Sequence, residues 1–176
     1  GDVSAELTMV LRNRYGEETL RKMRNKTLEQ LDDGDKSLII FDTPRDVKGT
    51  AFLSFSHKQG SDDQWLYLPA LRKVRRISAS DRGDYFLGTD FTYEDIKKSG
   101  KIEQQDFDFK TMGEDLIEVG GNKIATYKVA ATTKSNQIAE ELGFARSEIW
   151  VNPETWIIVK TDYWDLKNRY LKTYTA

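Results

Sequence analysis

The amino-acid sequence predicts a mainly β protein of the α+β class, an antiparallel meander of roughly ten short strands with two brief helices inserted. Three observations carry this expectation. Apolar residues recur with period two in several segments, the spacing of a strand with one covered face. Turns rich in Gly, Asp and Asn, of hairpin length, separate those segments. No glycine-rich strand-to-helix turn is present, which argues against parallel dinucleotide-binding or P-loop architecture. A sheet of that many strands curls or closes.

From Ser4 to Arg12 the apolar positions Ala5, Leu7, Met9 and Leu11 alternate with Ser4, Glu6, Thr8 and Arg12. Tyr15-Gly16-Glu17 turns the chain into a long charged strand, Thr19 to Gln30, and Asp32-Asp33-Gly34-Asp35 turns it again. Lys36 to Thr43 carries the run Leu38-Ile39-Ile40-Phe41, a buried strand that Pro44 stops. Gly49 to Lys58 and Trp65 to Leu68 form a hairpin around Gln59-Gly60-Ser61-Asp62-Asp63. Arg72-Lys73-Val74-Arg75-Arg76, read as a strand, places Lys73 and Arg75 on one face and Arg72 and Arg76 on the other. A strand basic on both faces is not fully buried.

The first helix is expected after Thr92, with Asp95 at its third position and Phe91 and Ile96 spaced as a hydrophobic staple. Lys97, Lys98 and Gly100 mark its end. Ile102 to Thr111, Asp115 to Val119 and Lys123 to Thr133 read as strands, the last two joined by Gly120-Gly121-Asn122. A second helix spans about Asn136 to Leu142 and closes at Gly143. Strands Ala145 to Val151, Thr155 to Trp164 and Arg169 to Tyr174 follow, with turns at Asn152-Pro153-Glu154 and Lys167-Asn168.

Composition bounds the function. A length of 176 residues favours a single domain over residues 1–176. With 27 basic against 29 acidic side chains, no global field steers the chain to nucleic acid or an anionic membrane. The absence of cysteine removes disulfides, thiolate nucleophiles and cysteine-ligated metal sites. Apolar runs reach four residues, far short of the roughly 18 that cross a bilayer. No secretory leader is visible at Gly1.

The residues offer no catalytic constellation. His57 stands without a second imidazole or a nucleophilic serine motif, so it reads as a strand residue with no catalytic role. Asp32, Asp33, Asp35, Asp62 and Asp63 lack the calcium-loop pattern and read as turn residues. No cofactor and no metal is expected. The short matches Arg75-Arg76-Ile77-Ser78 and Asn25-Lys26-Thr27, to a kinase site and a glycosylation sequon, are of a length that arises by chance. The basic segment Arg72 to Arg76 has two readings: a solvated edge strand that discourages aggregation, or a contact for a headgroup or anionic partner. Nucleic acid is disfavoured, because the remaining chain supplies no reinforcing basic face.

Three segments carry a resemblance: Asp42-Thr43-Pro44-Arg45-Asp46-Val47-Lys48-Gly49-Thr50-Ala51-Phe52-Leu53, Trp65 through Ile77, and Phe86-Leu87-Gly88-Thr89-Asp90-Phe91-Thr92-Tyr93-Glu94-Asp95. In order and spacing they closely resemble the bacterial outer-membrane lipoprotein-sorting protein family. The resemblance implies a LolA-like fold, an antiparallel sheet curled into an incomplete barrel with short helices across its open side and an apolar cavity between. It also implies an exported periplasmic protein that carries a lipid or the acyl chains of a lipoprotein, often alongside transporters. Family members usually continue beyond the position matching Thr173, so the C-terminal strands are expected to be missing from residues 1–176.

On this resemblance the expected lining is Met9, Leu11, Leu53, Trp65, Tyr67, Phe86, Phe91, Ile96 and Trp156, the apolar members of strand faces and of the expected lid. Arg72, Lys73, Arg75 and Arg76 are the expected contact for headgroups or a partner. The expected partners are a lipid or lipoprotein acyl chain and an envelope transporter or outer-membrane acceptor, with peripheral membrane contact only. The competing expectation is a non-catalytic module that docks an envelope protein through its basic strand around a solid core. A lipid hydrolase is the weakest reading, since no nucleophile and base are paired.

Overall fold

The computed structural model describes residues 1–98 and 104–176. Among the described residues eleven strands form two antiparallel sheets, neither closed into a barrel, and contacts group the chain into two compact units, residues 1–79 and 80–176. The expected mainly β, antiparallel architecture with short helices is present, its strands divided between two meanders.

In the first unit the sheet order is the chain order: β1 (Val3–Arg12), β2 (Glu18–Leu28), β3 (Lys36–Thr43), β4 (Ala51–Phe55), β5 (Asp63–Leu68) and β6 (Lys73–Ile77). Every connection is a short reversal, as the turn chemistry predicts. Register sets two faces of different character, because side chains alternate strictly along each strand. One row runs through Leu7, Met23 and Phe41, and the next through Asn25, Ile39, Phe52 and Leu66. Met9, Met23, Ile39, Phe41, Phe52, Leu66 and Ile77 on that face are all buried.

The basic segment departs from its expected register. Arg72 lies outside β6, in the left-handed conformation (φ 49°) that closes a 3₁₀ turn at Pro69–Leu71. The strand begins at Lys73, occupies the sheet edge, and exposes Lys73 through Arg76 before burying Ile77.

In the second unit β7 (Phe107–Val119), β8 (Asn122–Thr133), β9 (Arg146–Val151), β10 (Ile158–Trp164) and β11 (Tyr170–Thr175) pair in sequence. Helix α1 (Tyr93–Lys98) precedes the sheet and α2 (Asn136–Leu142) connects β8 to β9. The expected ends of the first helix at Gly100 and start of the next strand at Ile102 lie outside the described residues. The two strands expected over residues 102–119 join into β7, which continues through a bulge between Thr111 and Gly113. Gly113, at φ 119°, supplies a conformation that other residues resist, so what reads as a break is a kink. Gly120 and Gly121, both at positive φ, make the predicted hairpin.

The core of this unit is Phe107, Ala131, Leu142, Phe144, Ile149 and Tyr163, with Ile138, Leu171 and Tyr174 packed against it. Helix α2 thereby lays its apolar side on the sheet. Its ends follow the predicted chemistry: Ser135 accepts from Ile138 N at 3.2 Å, and Gly143, at φ 79°, donates to Ala139 O at 2.9 Å.

Candidate functional site

The helices and the loop before them form a layer over the apolar face of the five-stranded sheet. Thr92 and Asp95 build the capping box that opens α1. Asp95 N donates to Thr92 Oγ1 at 3.2 Å, and Asp95 Oδ2 accepts from Thr92 N at 2.7 Å. Thr92 Oγ1 also donates to the same carboxylate oxygen at 3.0 Å.

Lys172, on β11, donates to Asp95 Oδ2 and, at 3.0 Å, to the backbone oxygen of Asp90. Its side chain is only 3% exposed, so this ion pair is shielded from water. Around the ammonium stand the rings of Tyr163, Phe91 and Phe144, with centroids at 5.2, 5.4 and 5.7 Å. Aromatic faces partly replace the hydration the ammonium loses. The Tyr163 hydroxyl is pushed up from its ordinary range by burial first and by the charge of Asp95 second. One lysine therefore ties the first turn of α1 to the last strand of the sheet.

The loop that leads to α1 is tied to α2. Arg82 Nη2 donates to Glu141 Oε2 at 2.8 Å. Gly83 lies so close to α2 that a Cβ there would sit 1.9 Å from the backbone oxygen of Glu141. Phe86, fully buried, meets Tyr93 edge-on at 5.2 Å. The layer is short and apolar beneath.

The opposite face of this sheet is a side-chain ladder. Trp150 is sandwiched by Lys128 and Lys160, at 4.9 and 4.5 Å, and its indole N–H donates to Asp115 at 2.8 Å. Lys128 pairs with Glu148 at 2.7 Å and Lys160 with Asp162 at 2.8 Å.

The nine expected lining residues separate by unit and face. Met9 and Leu11 lie on the buried face of the six-stranded sheet, whereas Leu53, Trp65 and Tyr67 lie on the other face, one residue out of phase. Phe86, Phe91 and Ile96 belong to the helical layer, and Phe86 and Ile96 are buried. Trp156 is 72% exposed and belongs to a turn rather than a strand: Asn152 Oδ1 accepts from Glu154 N and Thr155 N, and Trp156 N donates to Asn152 O. That turn delays β10 to Ile158, and Trp156 rests at φ 58° against Tyr127. Of the basic group, Arg76 pairs with Asp63, while Arg72, Lys73 and Arg75 stand exposed.

His57 sits just beyond β4, not within it. Its Nδ1 meets Asp33 Oδ2 at 2.8 Å and its Nε2 meets Asp63 Oδ2 at 3.1 Å. The Asp33 bond first, and Asp63 second, raise its pKa above the usual imidazole value. Asp33 is drawn down to about 2, mainly by His57 and then by the backbone N–H of Lys58. The histidine clasps the β2–β3 turn to the β4–β5 hairpin. Among the described residues no group of three or more His, Cys, Asp or Glu is arranged to hold a metal.

Comparison with known proteins places this architecture. Residues 33–176 match a family model whose description reads "Uncharacterized protein". Among curated proteins none matches. An outer membrane lipoprotein-sorting protein domain from Vibrio parahaemolyticus is 37% identical with a TM-score of 0.74, the alignment covering 98% of this chain and 68% of that one. A DUF1329 family protein from Desulfovibrio piger is 33% identical with a TM-score of 0.72, covering 98% and 69%. A LolA superfamily protein from Nitrosomonas europaea shares the fold at 16% identity, with a TM-score of 0.57 over 98% of this chain and 68% of that one.

Proposed function

The chain belongs to the bacterial outer-membrane lipoprotein-sorting protein family, with a LolA-like fold, and from that membership we propose that it is a periplasmic carrier of acyl chains. The observation that carries the reading is the helical layer: two helices of six and seven residues over an apolar sheet face, with α1 anchored to that sheet through the Lys172–Asp95 pair.

Acyl chains are taken up beneath the helical layer of the second unit, against Phe86, Phe91 and Ile96. Each buried CH₂ contributes roughly 0.8 kcal/mol, so one long acyl chain gains on the order of 10 kcal/mol. The function is transfer, not catalysis. Arg72, Lys73 and Arg75, exposed at the edge strand, meet a headgroup, an acceptor or a transporter of the envelope.

The test is uptake of a fluorescent diacylated lipopeptide, followed by gel filtration. Retention of about one acylated molecule per chain, faster in a variant with the clamp removed on both sides (Lys172→Met with Asp95→Asn), supports the carrier. No retention by either protein contradicts it and favours a docking module built on a solid core.

A further inference from the structure

The second face of the six-stranded sheet is apolar where a solvated sheet would be polar. Register sets Leu38, Leu53 and Trp65 in one row across β3, β4 and β5, and Ile40, Ala51, Tyr67 and Val74 in the next. These strands are interior except β6, so their backbone groups are already paired and the face offers side chains alone. Val74 is 63% exposed and Tyr67 37%.

On β2 the rows meet cations, before ending at Ser4 and Glu6 on β1. Lys26 stands beside Leu38, and Arg24 beside Ile40. Arg24 is neutralised by Asp42 at 2.9 Å with Glu6 across from it, and Arg76 by Asp63. Lys22, Lys26 and Lys36 have no ion pair among the described residues, and Lys36 lies over the Phe55 ring at 4.7 Å. Between Lys26 and Lys36 opens a groove of about 330 Å³ floored by Leu28, Leu38 and Leu53. Asp2 at its rim is engaged by the backbone N–H of Glu29 at 3.2 Å.

We propose that this face docks on an anionic phospholipid bilayer, with lipid phosphates seated between Lys26 and Lys36 and with Trp65, Tyr67 and Val74 at the headgroup boundary. The side-chain chemistry selects a membrane over an acidic protein. Lysine is depleted in protein interfaces, while its flexible stem lies along apolar surface and lifts the ammonium to headgroups. Tryptophan and tyrosine are the residues of the bilayer interface. The face belongs to the first unit and the helical layer to the second, so variants confined to either unit let the failure of docking and the failure of acyl uptake be told apart.

The experiment is flotation of the whole chain with vesicles of phosphatidylcholine alone and with one third phosphatidylglycerol, at low and at high salt. Binding is expected only to the anionic vesicles and is reversed by salt. Each lysine near an anionic surface contributes about a fivefold factor, so Lys22→Gln/Lys26→Gln/Lys36→Gln lowers partitioning by about a hundredfold at unchanged Tm. Val74→Gln lowers it further, whereas Lys123→Gln in the other unit leaves it unchanged. Lack of binding to anionic vesicles, binding that survives the triple variant, or equal binding to neutral vesicles overturns the proposal. Capture of inorganic phosphate or of a soluble anionic lysolipid as strongly as of vesicles overturns it too, in favour of a single-molecule site. Binding to an acidic protein without vesicle binding makes the face a protein interface instead.

Discussion

Replacing Lys172 by methionine keeps most of the aliphatic stem against Phe91, Phe144 and Tyr163 and removes the charge alone. Asp95, 12% exposed, then loses its ammonium partner, and the backbone oxygen of Asp90 loses a donor. Stranding one member of a buried pair costs roughly 3–5 kcal/mol. Asp95 keeps its two bonds from Thr92, at 2.7 and 3.0 Å, so the lower end, about 3 kcal/mol, is expected. At roughly 2–4 °C per kcal/mol for a chain of this size, Tm falls by about 6–12 °C. Adding Asp95→Asn removes the stranded charge. The double variant is therefore more stable than the sum of the singles predicts, by roughly 1–3 kcal/mol. Urea and thermal unfolding of the four proteins measure this directly. A Tm loss under about 2 °C for Lys172→Met, or additivity within about 0.5 kcal/mol, refutes the clamp.

Gly83→Ala drives a methyl into the backbone of Glu141, which cannot yield as a side chain would, and destabilises by roughly 3 kcal/mol or more; an unchanged unfolding midpoint disproves the close approach. The His57 clasp sets a pH window. Because its folded pKa is raised, its contribution is complete below the ordinary value of about 6.5 and fades as pH rises through the raised value. Asp33, lowered to about 2, contributes above its ordinary 3.8 and loses that contribution as pH falls toward about 2. Tm of the native chain thus declines on the alkaline side relative to His57→Gln, and parallel pH profiles contradict the clasp. Reversing Arg72, Lys73 and Arg75 to glutamate slows delivery of acyl cargo to acceptor membranes with Tm nearly constant, as exposed edge charges contribute little to folding. A large Tm loss makes the segment structural.

Much of the fold was legible because local rules and tertiary packing agree. Lys36–Thr43 and Asn136–Leu142 form with the bounds their patterns predict, and Gly120-Gly121 makes its hairpin. The Thr92–Asp95 box caps α1 as its spacing requires. The failures have physical causes. Gly113 reads as an end but permits a bulge, and Asn152 holds Trp156 in a turn instead of a strand.

The candidate site was less legible. Period-two alternation shows which residues of one strand share a face but not which face is buried, so it does not distinguish Leu53, Trp65 and Tyr67 from Met9 and Leu11, which the sheet places on opposite faces. Lys172 was missed for a related reason. The register shift after Tyr163 pairs Trp164 with Tyr170 and Tyr163 with Lys172, so Leu171 is the extra residue and an apparent surface lysine turns inward. Only its long-range partners, Asp90 and Asp95, mark it. His57 likewise gains meaning from Asp33, which sequence places 24 residues away.

The central claim, that this chain carries acyl chains, is tested most directly by native mass spectrometry of protein purified from a bacterial periplasm, followed by denaturing extraction. The carrier account predicts a retained lipid or acylated peptide, released on unfolding and identifiable in the extract. A bare polypeptide mass, unchanged after incubation with phospholipid and with diacylated lipopeptide, contradicts it.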